Sequence, residues 1–156
     1  MKKLILLLLL IIGFTNCKNN TAKEKNTSEE KEVVVNKKPT SLLKTGCYSY
    51  NADNNAINLE ITDVENGIKG NLTYALDAKD SNSGTLNGTL EGDKLFGEYT
   101  FMSEGVESKR EVAFLIKDNQ LIEGYGELNE NGTAFVDKNK ISYSSTMPLT
   151  KTDCDR

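Results

Sequence analysis

The 156-residue sequence contains no histidine, no tryptophan, two prolines and three cysteines. Without histidine, Ser-His-Asp and Cys-His triads, imidazole general bases and imidazole metal ligands are excluded. The length allows one domain once a targeting segment is set aside. Hydrophobic residues make up 37%, and one N-terminal run inflates that share, so the remainder can build only a small core. No phosphate loop, Gly-x-Ser-x-Gly elbow, metal-ligand cluster or cofactor motif replaces the missing histidine chemistry. The sequence reads as non-enzymatic.

Long apolar runs are also scarce. Residues 4–12 form the one sustained stretch, preceded by Lys2 and Lys3. A transmembrane helix needs roughly 20 apolar residues, so this pattern reads as a secretory signal. Cys17 follows directly after Gly13-Phe14-Thr15-Asn16. The segment resembles a bacterial lipoprotein signal of the Bacteroidetes type, which implies removal of residues 1–16 and a lipid on Cys17. An odd cysteine in an exported chain needs such an explanation. Once Cys17 is assigned to lipid, Cys47 and Cys154 remain as one pair, and an oxidising compartment favours a disulfide between them. The expected address is the cell envelope, at the outer membrane, with the membrane as the partner of the N-terminal lipid.

Residues 18–45 are polar, and only Val33, Val34, Val35, Leu42 and Leu43 interrupt them. Together with Cys17 they read as a flexible tether, 17–45, with at most a short edge strand at Val33, Val34 and Val35. Charge divides at the same boundary. Residues 18–45 carry seven Lys and four Glu, net +3; residues 46–156 carry ten Lys and Arg against nineteen Asp and Glu, net −9. An acidic head lacks the positive footprint that nucleic-acid binding requires.

From Gly46 onward the hydrophobic period is two. Ile57, Leu59 and Ile61 alternate with polar residues. So do Leu72, Tyr74 and Leu76, then Leu86 and Leu90, then Leu95, Tyr99 and Phe101, then Val112, Phe114 and Ile116. Turn signals recur at Asn66-Gly67, Gly92-Asp93, Asp118-Asn119 and Asn131-Gly132. Weaker strands are expected over 47–51, 133–136 and 141–144. The pattern predicts an all-β fold, a small antiparallel meander barrel of about eight strands over 46–156, with a β-sandwich as the alternative.

Some registers follow. A two-residue Gly92-Asp93 turn sets Leu90 opposite Leu95, Gly88 opposite Gly97, Leu86 opposite Tyr99 and Gly84 opposite Phe101. Keeping inward faces together then sets Phe101 opposite Arg110, Tyr99 opposite Val112 and Gly97 opposite Phe114. For the next hairpin, matching apolar faces sets Phe114 beside Gly124. A tight Asp118-Asn119 turn would instead point Glu123 and Tyr125 inward; the apolar match is preferred. Gly70, Gly88, Gly97, Gly124 and Gly126 then form an inward belt, suited to a tightly curled barrel or to an internal cavity.

Gly70-Asn71-Leu72-Thr73-Tyr74, Tyr99-Thr100-Phe101-Met102-Ser103-Glu104-Gly105, Glu123-Gly124-Tyr125-Gly126 and the terminal Lys151-Thr152-Asp153-Cys154 carry a second resemblance. They look like small Bacteroidetes lipoproteins that generally lack an assigned function. The architecture is similar to lipocalin-like barrels, though the lipocalin Gly-x-Trp signature is absent.

Arg110 falls on the inward phase, where an unpaired charge is costly. With Tyr74, Tyr99, Phe101, Glu104 and Phe114 it forms a candidate site for an anionic ligand group. The structural alternative is that Arg110 stacks on Phe101, pairs with Glu104 or Glu127 and plugs the barrel end. Asp80, Asn82 and Glu91 mimic part of a calcium-loop spacing, but no helices flank them, so the loop reads as an ordinary polar connection. Glu98, Glu123 and Glu127 are assigned to the outer face. The expected role is binding of a small ligand or a surface partner; the rival is an inhibitor or interaction module of the lysozyme-inhibitor type.

Overall fold

The computed structural model of the protein describes residues 42–154. The expected signal peptide, lipidated Cys17, the tether up to residue 41 and Val33, Val34 and Val35 lie outside these residues. Eight antiparallel strands follow in chain order: β1 Gly46–Ala52, β2 Asn55–Asp63, β3 Ile68–Ala75, β4 Asn82–Glu91, β5 Lys94–Ser103, β6 Val106–Lys117, β7 Gln120–Gly124 and β8 Leu149–Thr152. Each pairs with its neighbour, and β8 returns to β1, closing a barrel. The barrel reading holds, and the sandwich does not.

Tight turns drive the meander. Asp53 and Asn54, Glu104 and Gly105, and Asp118 and Asn119 each occupy two-residue connections with φ between 51° and 80°. Positive φ at both central residues gives a twist that matches the flanking strands. The Gly92-Asp93 turn has positive φ at Gly92 alone and delivers the expected β4–β5 register, from Gly84 opposite Phe101 to Glu91 opposite Lys94.

The inward positions form one apolar core, including Ile57, Leu59, Leu72, Leu86, Leu95, Tyr99, Val112, Phe114 and Leu121. The packed region begins ahead of β1, since Leu43 is only 1% exposed and joins that core. A disulfide joins Cys47 in β1 to Cys154, two residues past β8. It ties the first strand to the segment after the last.

Two registers differ from those expected. In β5–β6, Tyr99 faces Arg110, Gly97 faces Val112 and Leu95 faces Phe114. The two-residue Glu104-Gly105 turn moves the pairing by two positions, which keeps every side chain on its assigned face. In β6–β7 the tight Asp118-Asn119 turn wins, pairing Lys117 with Gln120 and Phe114 with Glu123. A one-residue change of register exchanges the two faces. Glu123 therefore points inward, and Gly124 points outward beside Ala113.

The outward face of Gly124 is covered. The chain between β7 and β8 folds back over the outside of β5, β6 and β7 as a strap. There Phe96, Ala113 and Ile141 form a second cluster with Phe135 and Tyr143. A side chain at Gly124 would collide with Ile141 and Tyr143, and one at Gly126 would crowd Ile141 and Phe135. These two glycines make room for the strap rather than for the barrel interior. The strands expected over 133–136 and 141–144 are only the bridges Leu128–Phe135 and Tyr125–Ser142. A 3-10 turn, Lys138–Lys140, lies between them. Glu111 pins the strap by accepting from the Phe135 amide at 2.8 Å and pairing with Lys138 at 3.1 Å.

Candidate functional site

One end of the barrel places two opposite, inward charges beside a wall that is part apolar and part polar. β6 brings Arg110 inward because it lies two positions before Val112 on the same face. β3 brings Tyr74, β5 brings Tyr99 and Phe101, and β7 brings Glu123. The Arg110 guanidinium carbon lies 5.0 Å from the Tyr74 ring centre, 5.6 Å from Tyr99 and 5.5 Å from Phe101. Tyr99 and Phe101 stack at 4.7 Å, and Tyr74 tilts against Tyr99 at 5.8 Å. Three electron-rich faces thus hold the cation. The Arg110 Nε and the Tyr99 hydroxyl are buried without a hydrogen-bond partner.

Glu123 is 9% exposed, the one charged residue in the buried class among the described residues. The Tyr74 hydroxyl donates to its Oε1 at 2.7 Å. The Tyr125 hydroxyl approaches Oε2 at 3.5 Å, at the long limit of such a bond. Burial pushes the Glu123 carboxyl above the ordinary carboxylate range. The Tyr74 hydrogen bond and the Arg110 charge pull in the other direction. The Tyr74 hydroxyl is pushed well above its usual value of 10.0, first by burial and then by the neighbouring Glu123 charge. Both shifts follow from the cost of placing charge in a low-dielectric wall.

A cavity of about 410 Å³ opens beside these groups, lined by Ile57, Tyr74, Leu76, Arg110, Glu123 and Met147 among others. Lys79 and Asp80, in the loop ahead of β4, and Asn82, the first residue of that strand, also stand on its wall. Both charges face this space, yet no ion pair links Arg110 to Glu123 among the described residues. A cavity with apolar walls and a few convergent polar groups is the usual form of a small-molecule site.

The structure gathers Tyr74, Tyr99, Phe101 and Arg110, with Tyr99 and Phe101 behind the guanidinium rather than on the cavity wall. It does not bring in Glu104, which is exposed on the β5–β6 turn with φ 51°. Phe114 is fully buried in the core and does not line the cavity. No ion pair joins Arg110 to Glu104 or Glu127 among the described residues. Glu98 and Glu127 are exposed, whereas Glu123, expected on the outer face, is an inward member of the site. Its signal in the sequence is the Asp118-Asn119 pair, whose tight turn sets the register against the apolar match. No family model, curated protein or solved structure matches the chain.

Proposed function

We propose that the protein is a non-enzymatic, lipid-anchored envelope protein whose lipocalin-like barrel binds a small ligand at its mouth. The signal-like residues 1–16 and Cys17 support the anchor, with the outer membrane as its address, and the polar residues from 17 up to the packed Leu43 serve as the tether. The observation that carries the binding reading is the cavity flanked by Arg110 and Glu123. Each group has unspent hydrogen-bonding capacity, at Arg110 Nε and Glu123 Oε2. Burying charged groups in this way costs stability, and a bound ligand offsets that cost.

Native mass spectrometry of protein extracted from its source membranes tests the binding reading through a retained small molecule. Cys17→Ser tests the anchor: the variant leaves the membrane fraction, and retention there would contradict lipidation. The acidic head, net −9 over residues 46–156, supports a second reading as an inhibitor of a basic hydrolase such as lysozyme. Absence of lysozyme inhibition at low salt and micromolar protein removes it.

A further inference from the structure

The chemistry of the mouth narrows the ligand class. Inward charges are usually neutralised by each other. Here Arg110 and Glu123 border the same cavity without pairing. Arg110 is held by the faces of Tyr74, Tyr99 and Phe101. Beyond its interaction with the Tyr74 hydroxyl the guanidinium meets ring faces, which stabilise the charge without accepting an in-plane N–H bond, and Nε is unpartnered. Glu123 receives one short bond, from Tyr74 on Oε1, while Oε2 has only the 3.5 Å approach of Tyr125. The cavity therefore offers an inward cation with donors and a buried carboxylate with acceptor capacity, on walls that include Ile57, Leu76 and Met147, with a second pair of opposite charges, Lys79 and Asp80, on the same wall.

An anion alone would satisfy Arg110 and be repelled by Glu123. A cation alone would do the reverse. Resting on the ligand-binding reading above, we infer that the mouth takes a small zwitterion: an α-amino acid or short peptide with an apolar side chain. Its carboxylate bonds to the Arg110 guanidinium, and its ammonium donates to Glu123. Its side chain lies on the aliphatic wall. A volume of about 410 Å³ accommodates such a molecule. No covalent step is involved; recognition is by two charge-assisted hydrogen-bond sets of opposite polarity.

The test is calorimetric titration of the wild-type protein with three probes: L-leucine, L-leucinamide and N-acetyl-L-leucine. The amide lacks the carboxylate, and the acetyl form lacks the ammonium. The expected result is binding of leucine, with each analogue weaker by about tenfold or more, the effect of leaving one buried charge unpaired. Glu123→Gln, nearly isosteric, removes the preference for leucine over N-acetyl-leucine, and Arg110→Gln removes the preference over leucinamide. Equal or tighter binding of either analogue to the wild type overturns the zwitterion assignment and leaves mouth binding intact. Binding of none of the three also overturns it. A small molecule retained in the native mass spectrum would then preserve the broader reading, and a clean spectrum would remove both. The wild-type probe series stands independently of whether either variant folds.

Discussion

Glu123 and Glu104 carry opposite lessons about a single side chain. Glu123 is held inward by its register, and burial raises its carboxyl pKa above the ordinary 4.5. The consequence for stability has a definite sign. As pH rises past 4.5, the unfolded carboxyl loses its proton while the folded one retains it. Stability therefore falls with rising pH until the folded group also ionises. Tyr74, Arg110 and Tyr125 face the carboxyl, and Arg110 limits the effect. Glu123→Gln keeps an acceptor for Tyr74 and has no proton to lose. Denaturant melts across about pH 4 to 8 will show the variant gaining on the wild type as pH rises; a constant difference would contradict this. Glu104 occupies left-handed backbone, φ 51°, on an exposed turn. Asparagine tolerates that region better than glutamate. Glu104→Asn is expected to raise unfolding free energy by about 0.5 to 1 kcal/mol, read from the denaturation midpoint.

At the scale of strands, close backbone approach decides where side chains are tolerated. A Cβ on Gly88 would run into the Phe96 carbonyl oxygen, with the Gly97 Cα 3.0 Å away. Both are backbone atoms that cannot swing aside. Gly88→Ala should cost about 1 to 3 kcal/mol, measured by urea unfolding. The alanine variant of Gly92, with open space around it but φ 64°, should show a loss from turn strain alone. Much of this level was legible in the sequence. The period of two assigned β2 to β6, and Gly92-Asp93 set the β4–β5 register residue by residue. The site was legible only in half. Arg110 and its three rings follow from face parity, which a shift of two residues preserves. Glu123 required choosing between a turn signal and an apolar match, and the apolar match failed because residues 125–148 supply their own cover for Gly124. A strap of non-repeating residues leaves no periodic trace, so that cover could not be read in advance.

For the whole molecule, closure is the organising fact. β7 and β8 share only two paired positions, while β8 and β1 share three. The seam is thus the least hydrogen-bonded part of the wall, and the Cys47–Cys154 bond lies next to it. The bond spans a separation of 107 residues, worth about 4 to 5 kcal/mol in the chain-entropy account. Domains of this kind are stable by only about 5 to 15 kcal/mol in total. The Cys47→Ser, Cys154→Ser double variant should lose about a third or more of its margin in denaturant melts, and reductant should do the same to the wild type. Equal midpoints with and without reductant would contradict this.

At one end of the same closed wall, Arg110 and Glu123 face a shared cavity. We propose that this mouth holds a small molecule rather than plugging the barrel. The most direct measurement is a pair of native mass spectra, of wild type and of Arg110→Ala, each extracted from source membranes. The account predicts a non-covalent small-molecule adduct on the wild type that is missing from a folded Arg110→Ala variant. Spectra free of any adduct for both, with Arg110→Ala altered only by a lower melting temperature, would contradict it.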